Sequence, residues 1–274
     1  MGTVCVEVAV RDDRRLLDAL DSLVAQTRPP DRIVIAASVE SPPDLLDAAR
    51  RHSGRIPVEI ARFPGGVVDA RAASLALLHE DVTAFLDADE RAPAEWLGAL
   101  VAPIEAGAAA FAAGPTRPLR EPVGSIERYS VLLEASIYED LVPRNVTYVP
   151  LQNSAWATPI LRTLGFDPRI PFAEDHDLES RAARAGAHGV FVPTAFVYHD
   201  KSEETSFYRW ARKRYRYLVA MGMSLTKNGS LGARLQEQRR PVRHPLRYVE
   251  AAMKPFALVD ATIRWRRVRH APGA

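Results

Sequence analysis

The sequence predicts an α/β fold: a mostly parallel central sheet with helices on both faces, followed by a basic helical C-terminal tail. Short apolar runs alternate with helical patterns through the first third of the chain. The fourth apolar run stops abruptly at Asp87-Ala88-Asp89-Glu90. From Lys227 to the end, Lys and Arg number 11 and Asp and Glu only 3.

Residues 4–10 read as a buried strand. Residues 14–26 carry a helical stripe of Leu16, Leu17, Leu20, Leu23 and Val24. Arg28-Pro29-Pro30-Asp31 punctuates it. Strands are then expected at 33–37, 58–62 and 82–86, and helices at 43–52 and 69–79. Strand–helix alternation implies a parallel sheet covered on both faces. Ligands of such sheets sit at the carboxyl ends of the strands. After Asp89 the rhythm changes: helices over 94–106, 125–139 and 175–185, a strand over 108–114, a strand and turn over 145–156 and a strand over 189–199. A basic aromatic helix follows over 206–221. From about Leu225, Pro241, Pro245 and Pro255 are expected to break the chain into short pieces.

The composition, 47% hydrophobic and 26% charged over 274 residues, is that of a soluble globular protein. The net charge of +2 argues against a dedicated nucleic-acid binder. The basic tail points to an anionic surface as partner, and its mixture of Arg with Leu246, Tyr248, Phe256, Ile263 and Trp265 can lie on an anionic membrane. The tail can equally pack on a second subunit or on its own core. Cys5 is the one cysteine, so no internal disulfide forms, and its apolar strand makes it a core residue. With no signal-peptide pattern and no run near the ~18 residues of a membrane span, the expected location is the cytoplasm, peripheral to the inner face of the cell membrane if the tail binds lipid.

The acidic segment carries the chemistry. Carboxylates at i and i+2 of an extended chain point to the same side. At the end of a buried strand Asp87 and Asp89 would face the ligand crevice. A diphosphate leaving group needs its charge neutralised, and a divalent cation held by carboxylates supplies that. The same four residues also read as an acidic turn capping the next helix.

Taken in order, Val8 to Asp13, Pro30 to Ile35, Gly65-Gly66 with Ala70-Arg71, Phe85 to Asp89, Ala173 to Leu178, and Val197-Tyr198-His199 resemble the family 2 glycosyltransferases with the GT-A fold. The resemblance covers roughly residues 4 to 220. It implies a glycosyltransferase domain over 1–222, with a nucleotide-binding half of about 1–90 and an acceptor half of about 91–222, and leaves 223–274 as the tail. It implies transfer from a nucleotide-sugar donor to an acceptor hydroxyl, lipid-linked or on a glycan, with inversion. The strand ends at Ala9, Val10, Arg11 and Ser38 would meet the nucleotide, with Arg71 near it. Asp87 would lie by the ribose. Asp89 and His199 would hold Mn2+ or Mg2+. Asp175 matches the general base, with Glu174 and Asp177 competing. Asn153 to Trp156 would lie under the donor sugar, although Trp156 reads equally as a core residue. The chain departs from the pattern at Asp12, Ala36-Ala37-Ser38, Ala72 and Ser74, which leaves the base open among UDP, GDP and dTDP, with UDP the default. Arg209-Trp210 matches part of a processive-synthase signature in which Ser206 replaces Gln, favouring single addition. A nucleotidyltransferase would place a glycine-rich loop where Arg11 to Arg15 stands. A degenerate binding protein of the same fold is the non-enzyme alternative, and a homodimer is admitted.

Overall fold

The computed structural model describes residues 2–138, 145–146, 150–203, 205–229 and 242–269. Residues 230–241 and 270–274 of the expected tail, residue 139 of the expected fifth helix, and 147–149 of the expected strand and turn lie outside the described residues.

Strands β1 (Val4–Val10), β2 (Arg32–Ser38), β3 (Val58–Phe63) and β4 (Val82–Leu86) alternate with helices α1 (Leu16–Val24), α2 (Pro43–His52) and α3 (Val67–Ser74). A two-residue strand β5 (Glu90–Arg91), helix α4 (Trp96–Glu105), strands β6 (Phe111–Ala113) and β7 (Thr116–Pro118) and helix α5 (Ser125–Tyr138) follow. Then come β8 (Asn145–Val146), β9 (Asn153–Ala157), α6 (Thr158–Leu164), α7 (Glu174–Arg184), β10 (Gly189–Phe191), β11 (Val197–His199), α8 (Phe207–Lys227) and α9 (Leu246–Val268). The main sheet runs β3-β2-β1-β4-β9-β6-β10-β8, and a small sheet runs β5-β11-β7. Strands β1 to β4 pair in parallel, while β9 is antiparallel to both β4 and β6. The mostly parallel sheet with helices on both faces is the expected architecture.

β1 shows why the first half is legible. All seven of its residues are buried, because a central parallel strand is covered on both faces and reads as a continuous apolar run. Val4, Val6, Val8 and Val10 pack with Leu16, Leu20, Leu45 and Leu100 in one layer. Cys5 faces the other, with Phe85, Phe111, Trp156 and Leu178. Glu7 sits in the same strand, fully buried. Gly65 opens α3 at φ +94, and a Cβ there would lie 2.5 Å from an Asp69 carboxylate oxygen. That oxygen instead accepts the Gly66 N–H at 2.7 Å, so the glycine lets the side chain cap its own helix.

Three expectations need correction. The single strand expected over 189–199 is two strands in different sheets: β10 pairs with β6, and β11 with β7 and β5. Pro193, which cannot donate to a ladder, stands in the turn between them. The extended alternation assumed for Asp87 and Asp89 does not hold either. β4 ends at Leu86, and residues 88–89 form a turn closed by the Glu90 N–H on the Asp87 carbonyl at 3.0 Å. Finally, the chain beyond Pro245 does not break into short pieces. α9 runs 23 residues with Pro255 inside it. An interior proline costs a helix about 3 kcal/mol; burial of Ala257, Ala261 and Trp265 against α8 offsets that cost. α8 itself continues to Lys227, past the expected boundary at 222.

α8 and α9 pack side by side and run in the same direction, since Arg214 pairs with Glu250 and Gly222 lies against Ala261. Another close approach lies nearer the site. A Cβ on Gly114 would fall 1.6 Å from the Ala195 carbonyl oxygen and 2.9 Å from Asn153 Nδ2. Neither can step aside, because Asn153 Nδ2 donates to that same carbonyl at 2.9 Å and to Pro115 O at 3.0 Å. Gly114→Ala is expected to destabilise the chain by about 3 kcal/mol or more, read as a shift of the urea midpoint. A midpoint within experimental error of the parent would contradict this packing.

Candidate active site

The carboxyl ends of β1, β2 and β4 and the start of α7 gather the charged groups of the crevice. The side chain at the centre is Arg71, on α3, itself only 4% exposed. Its Nη2 donates to Asp87 Oδ1 at 2.7 Å and its Nη1 to Glu174 Oε1 at 2.7 Å. Its Nε lies 3.7 Å from Glu7 Oε2. One guanidinium thus faces three carboxylates from β1, the end of β4 and the head of α7. Burial pushes the Glu7 carboxyl up to about 7 despite Arg71, and Asp87 and Glu174 add like charge in the same direction.

A second network begins two residues after Asp87. Asp89 Oδ2 lies 3.2 Å from His199 Nε2, and the opposite ring nitrogen lies 3.0 Å from Glu134 Oε1. Glu134, on α5, also receives Gln152 Nε2 at 2.5 Å and lies 3.5 Å from Lys201 Nζ. Arg15 Nη2 approaches Asp89 Oδ2 at 3.7 Å while Asp13 grips it from the other side at 2.5 Å. Burial and Lys201 work against protonation of His199, but the Glu134 and Asp89 carboxylates outweigh them and hold it up to about 10. Burial would raise the Asp89 carboxyl; His199, with Lys201 and Arg15, holds it well below the usual carboxylate range. Beneath this pair lies Glu90, whose Oε2 accepts the Asp87 N–H at 3.1 Å. Burial drives its carboxyl well above the ordinary range.

Asp89 Oδ2 and His199 Nε2 are therefore brought together by β11 pairing with β5, which sets His199 opposite Glu90. Once His199 gives up its proton, an anionic oxygen and an imidazole nitrogen on one point could take a divalent cation of the Mn2+ or Mg2+ type. Among the described residues no group of three or more His, Cys, Asp or Glu is arranged to hold a metal. A cation at this pair would take its remaining ligands from water or from a phosphate.

The three acids at the head of α7 have different surroundings. Glu174 is spent on Arg71. Asp177 is fully buried, 2.8 Å from Lys227 Nζ, with Arg181 at 2.9 Å and Asn228 at 3.0 Å. Asp175 is the partly exposed one, and its Oδ1 accepts the His176 N–H at 2.8 Å. Two residues before Glu174, Phe172 holds a left-handed backbone at φ 68, 45% exposed, under the Arg216 guanidinium at 4.2 Å. Such a conformation in a bulky residue is strained and clusters at functional sites.

Most of the remaining expected residues fall around the carboxyl ends of β1 and β2. Ala9 and Val10 are buried at the end of β1. Ser38 closes β2, its Oγ accepting the Glu40 N–H at 3.2 Å. Arg11 is exposed and reaches across to Glu40 at 2.5 Å. Trp156 is fully buried and stacks on Phe111 with ring centres 4.2 Å apart, a core arrangement that leaves it no face for a sugar. Asn153 is likewise buried, accepting Trp96 Nε1 at 2.8 Å. Glu7, Arg15, Glu134 and Lys201 belong to the site without having been singled out by sequence. Glu7 alone carried a signal, as the one charge in a seven-residue buried strand.

Because the folded Glu7 binds its proton more tightly than the ordinary carboxyl of about 4.5, the fold retains a proton that the unfolded chain gives up. Stability from this group is full below about pH 4.5 and is lost as the pH rises through about 7. Glu7→Gln should therefore gain on the parent between about pH 5 and about pH 8 in urea unfolding; an identical pH slope would refute the assignment. Arg71→Met should cost about 3 kcal/mol or more, since it strands buried carboxylates.

Comparison with known proteins agrees with the architecture. Residues 6–151 match the model of Glycosyl transferase family 2, just over half of the chain. No curated protein matches it. Among solved structures, the mannosyltransferase PcManGT from Pyrobaculum calidifontis, in complex with GDP-Man and Mn2+, aligns over 100% of this chain and 76% of its own, at TM-score 0.62 and 19% identity. S. aureus TarS aligns over 94% of this chain at TM-score 0.58 and 16% identity, and the chain spans 54% of it. TarS 1-349 in complex with UDP-GlcNAc aligns over 97% of this chain and 92% of its own, at TM-score 0.56 and 14% identity. At such identities the likeness establishes the fold, which is of the GT-A type. With the family match over the strands that build the crevice, the chain belongs to glycosyl transferase family 2 and is a glycosyltransferase.

Proposed function

We propose that the chain transfers a glycosyl group from a nucleotide-sugar donor to an acceptor hydroxyl with inversion at the anomeric carbon. The observation that carries this reading is the Arg71 brace. It ties the strand-end carboxylate Asp87 to Glu174, so that the acidic head of α7 stands beside the nucleotide end of the sheet. Related folds hold GDP-Man or UDP-GlcNAc, which supports a nucleoside-diphosphate donor; UDP remains the default.

In this reading Ala9, Val10, Arg11 and Ser38 border the nucleotide, and Asp87 meets the ribose. Arg71 keeps Asp87 in place and stays charged. Asp89 and a neutral His199 would hold Mn2+ or Mg2+. Bound there, the cation supplies charge neutralisation to the leaving diphosphate. Asp175 takes the proton of the acceptor hydroxyl as its oxygen bonds to the anomeric carbon. The bond to the diphosphate oxygen breaks, and its electron pair leaves with the nucleoside diphosphate. Glu174 is paired with Arg71, and Asp177 is fully buried beside Lys227, whereas Asp175 is partly exposed. Lys201 and Arg15 surround Asp89 with positive charge, which favours an anionic ligand.

Asp175→Asn should lose about 10²–10⁴ in turnover, the usual worth of a general base, with donor affinity nearly unchanged. Asp89→Asn should instead lose manganese-dependent UDP binding in calorimetry, because an amide is a poor replacement for a carboxylate ligand. Were Asp175 only a helix cap, its variant would lose about 1 kcal/mol of stability and keep parental turnover per folded molecule, which would overturn the assignment.

A further inference from the structure

We propose that the outward face of α9 docks on the surface of an anionic lipid bilayer. α9 is apolar on two opposite faces. Ala257, Ala261 and Trp265 are buried against α8. On the far side Tyr248, Ala252, Phe256, Val259 and Ile263 recur at steps of three and four residues, the spacing of a single helical stripe. Their side chains stand in solvent: Tyr248 is 68% exposed, Phe256 71%, Val259 62% and Ile263 45%. Core packing explains the first face and leaves the second exposed, with no packing role among the described residues. Contiguous exposed apolar surface of this kind marks an interaction site.

The charges select the occupant. Both acids of α9 are neutralised within the fold: Glu250 by Arg214 at 2.8 Å and Asp260 by Arg264 at 2.8 Å. Arg266 and Arg267 continue the outward stripe one turn beyond Ile263, and Arg269 follows; all three are exposed, and none meets a carboxylate among the described residues. An apolar stripe ending in uncompensated arginines is the pattern of a helix lying in a bilayer interface, with the rings in the acyl boundary and the guanidinium groups at the phosphates. A second copy packed in parallel on this face would bring like arginines together, and the outward stripe carries no acid to receive them. No helix among the described residues is long and apolar enough to cross a membrane, so contact would be peripheral.

The test is co-sedimentation of the full chain with vesicles of phosphatidylcholine alone or with added phosphatidylserine, which is read independently of any transferase activity. Binding is expected only with phosphatidylserine and should fall as salt rises from about 0.1 M to about 0.5 M. Arg266→Gln with Arg267→Gln should lower the partition coefficient about twenty-five-fold, at about fivefold for each surface cation. Phe256→Ser with Ile263→Ser should lower it at least about tenfold. Both pairs are exposed, so thermal unfolding should match the parent and separate lost docking from lost folding. Equal pelleting with and without phosphatidylserine, or parental binding by either double variant, would overturn the proposal. So would a dimer in sedimentation velocity that Phe256→Ser with Ile263→Ser dissociates, because the face would then belong to a second copy.

Discussion

The buried guanidinium of Arg71 is the constraint on which both halves of the molecule depend. It reaches Asp87 at the end of β4, Glu174 at the head of α7 and Glu7 in the middle of β1. One cation among three carboxylates would leave the interior negative if all were ionised. Charge uncompensated in a dry interior is far too costly to persist, and the Glu7 carboxyl is accordingly the group driven towards its neutral form. Replacing such a network by apolar groups would be no loss of stability in principle. Its presence at the open ends of the strands is what a site requires and a core does not: a charged side chain fixed in position, joining elements far apart in sequence.

The second network uses the same economy of elements. Asp87 and Asp89 flank one residue, yet the turn at 88–89 sends them to different partners, Asp87 to Arg71 and Asp89 to His199. Glu90 then re-enters as β5 and pairs with His199 across the small sheet. A strand of two residues is thus enough to carry the histidine to the acidic turn. Glu134 behind the ring and Lys201 beside it fix its orientation, as outer partners do for a ligating histidine.

What was legible in the sequence follows from burial. β1, β2 and β4 are covered on both faces, so their apolar runs admit one reading, and their ends mark the site. The acidic segment stood out because it interrupts such a run. Local pattern misled where tertiary contacts decide. Residues 189–199 have one continuous strand-like composition, but Pro193 turns the chain between two sheets. Pro255 signals a break, and α9 passes through it because Ala257, Ala261 and Trp265 are held by α8. Glu134 gave no sign, since a glutamate in a helix of mixed polarity is ordinary until His199, 65 residues away, is set against it. The end of β2 is equally silent: Ala36 and Ala37 are buried, and the exposed Arg11–Glu40 pair near it is of a kind worth little and easily rearranged.

The helices beyond Ser206 are part of the site's foundation rather than an appendage to it. Lys227 and Asn228, at the end of α8, hold Asp177, and Tyr217 meets His176 at 2.9 Å. Ile170 and Ala173, from the loop that leads into α7, share an apolar cluster with Leu218, Met223, Ala257 and Trp265. Through these contacts α8 and α9 fix the first turn of α7, and with it Glu174 against Arg71. Phe172 in its strained left-handed conformation lies between the cluster and the acids, pressed under Arg216 of α8. The helix pair thus bears on this loop with one side of α9, through Ala257, Ala261 and Trp265, while Phe256 and Val259 on its other side stand exposed.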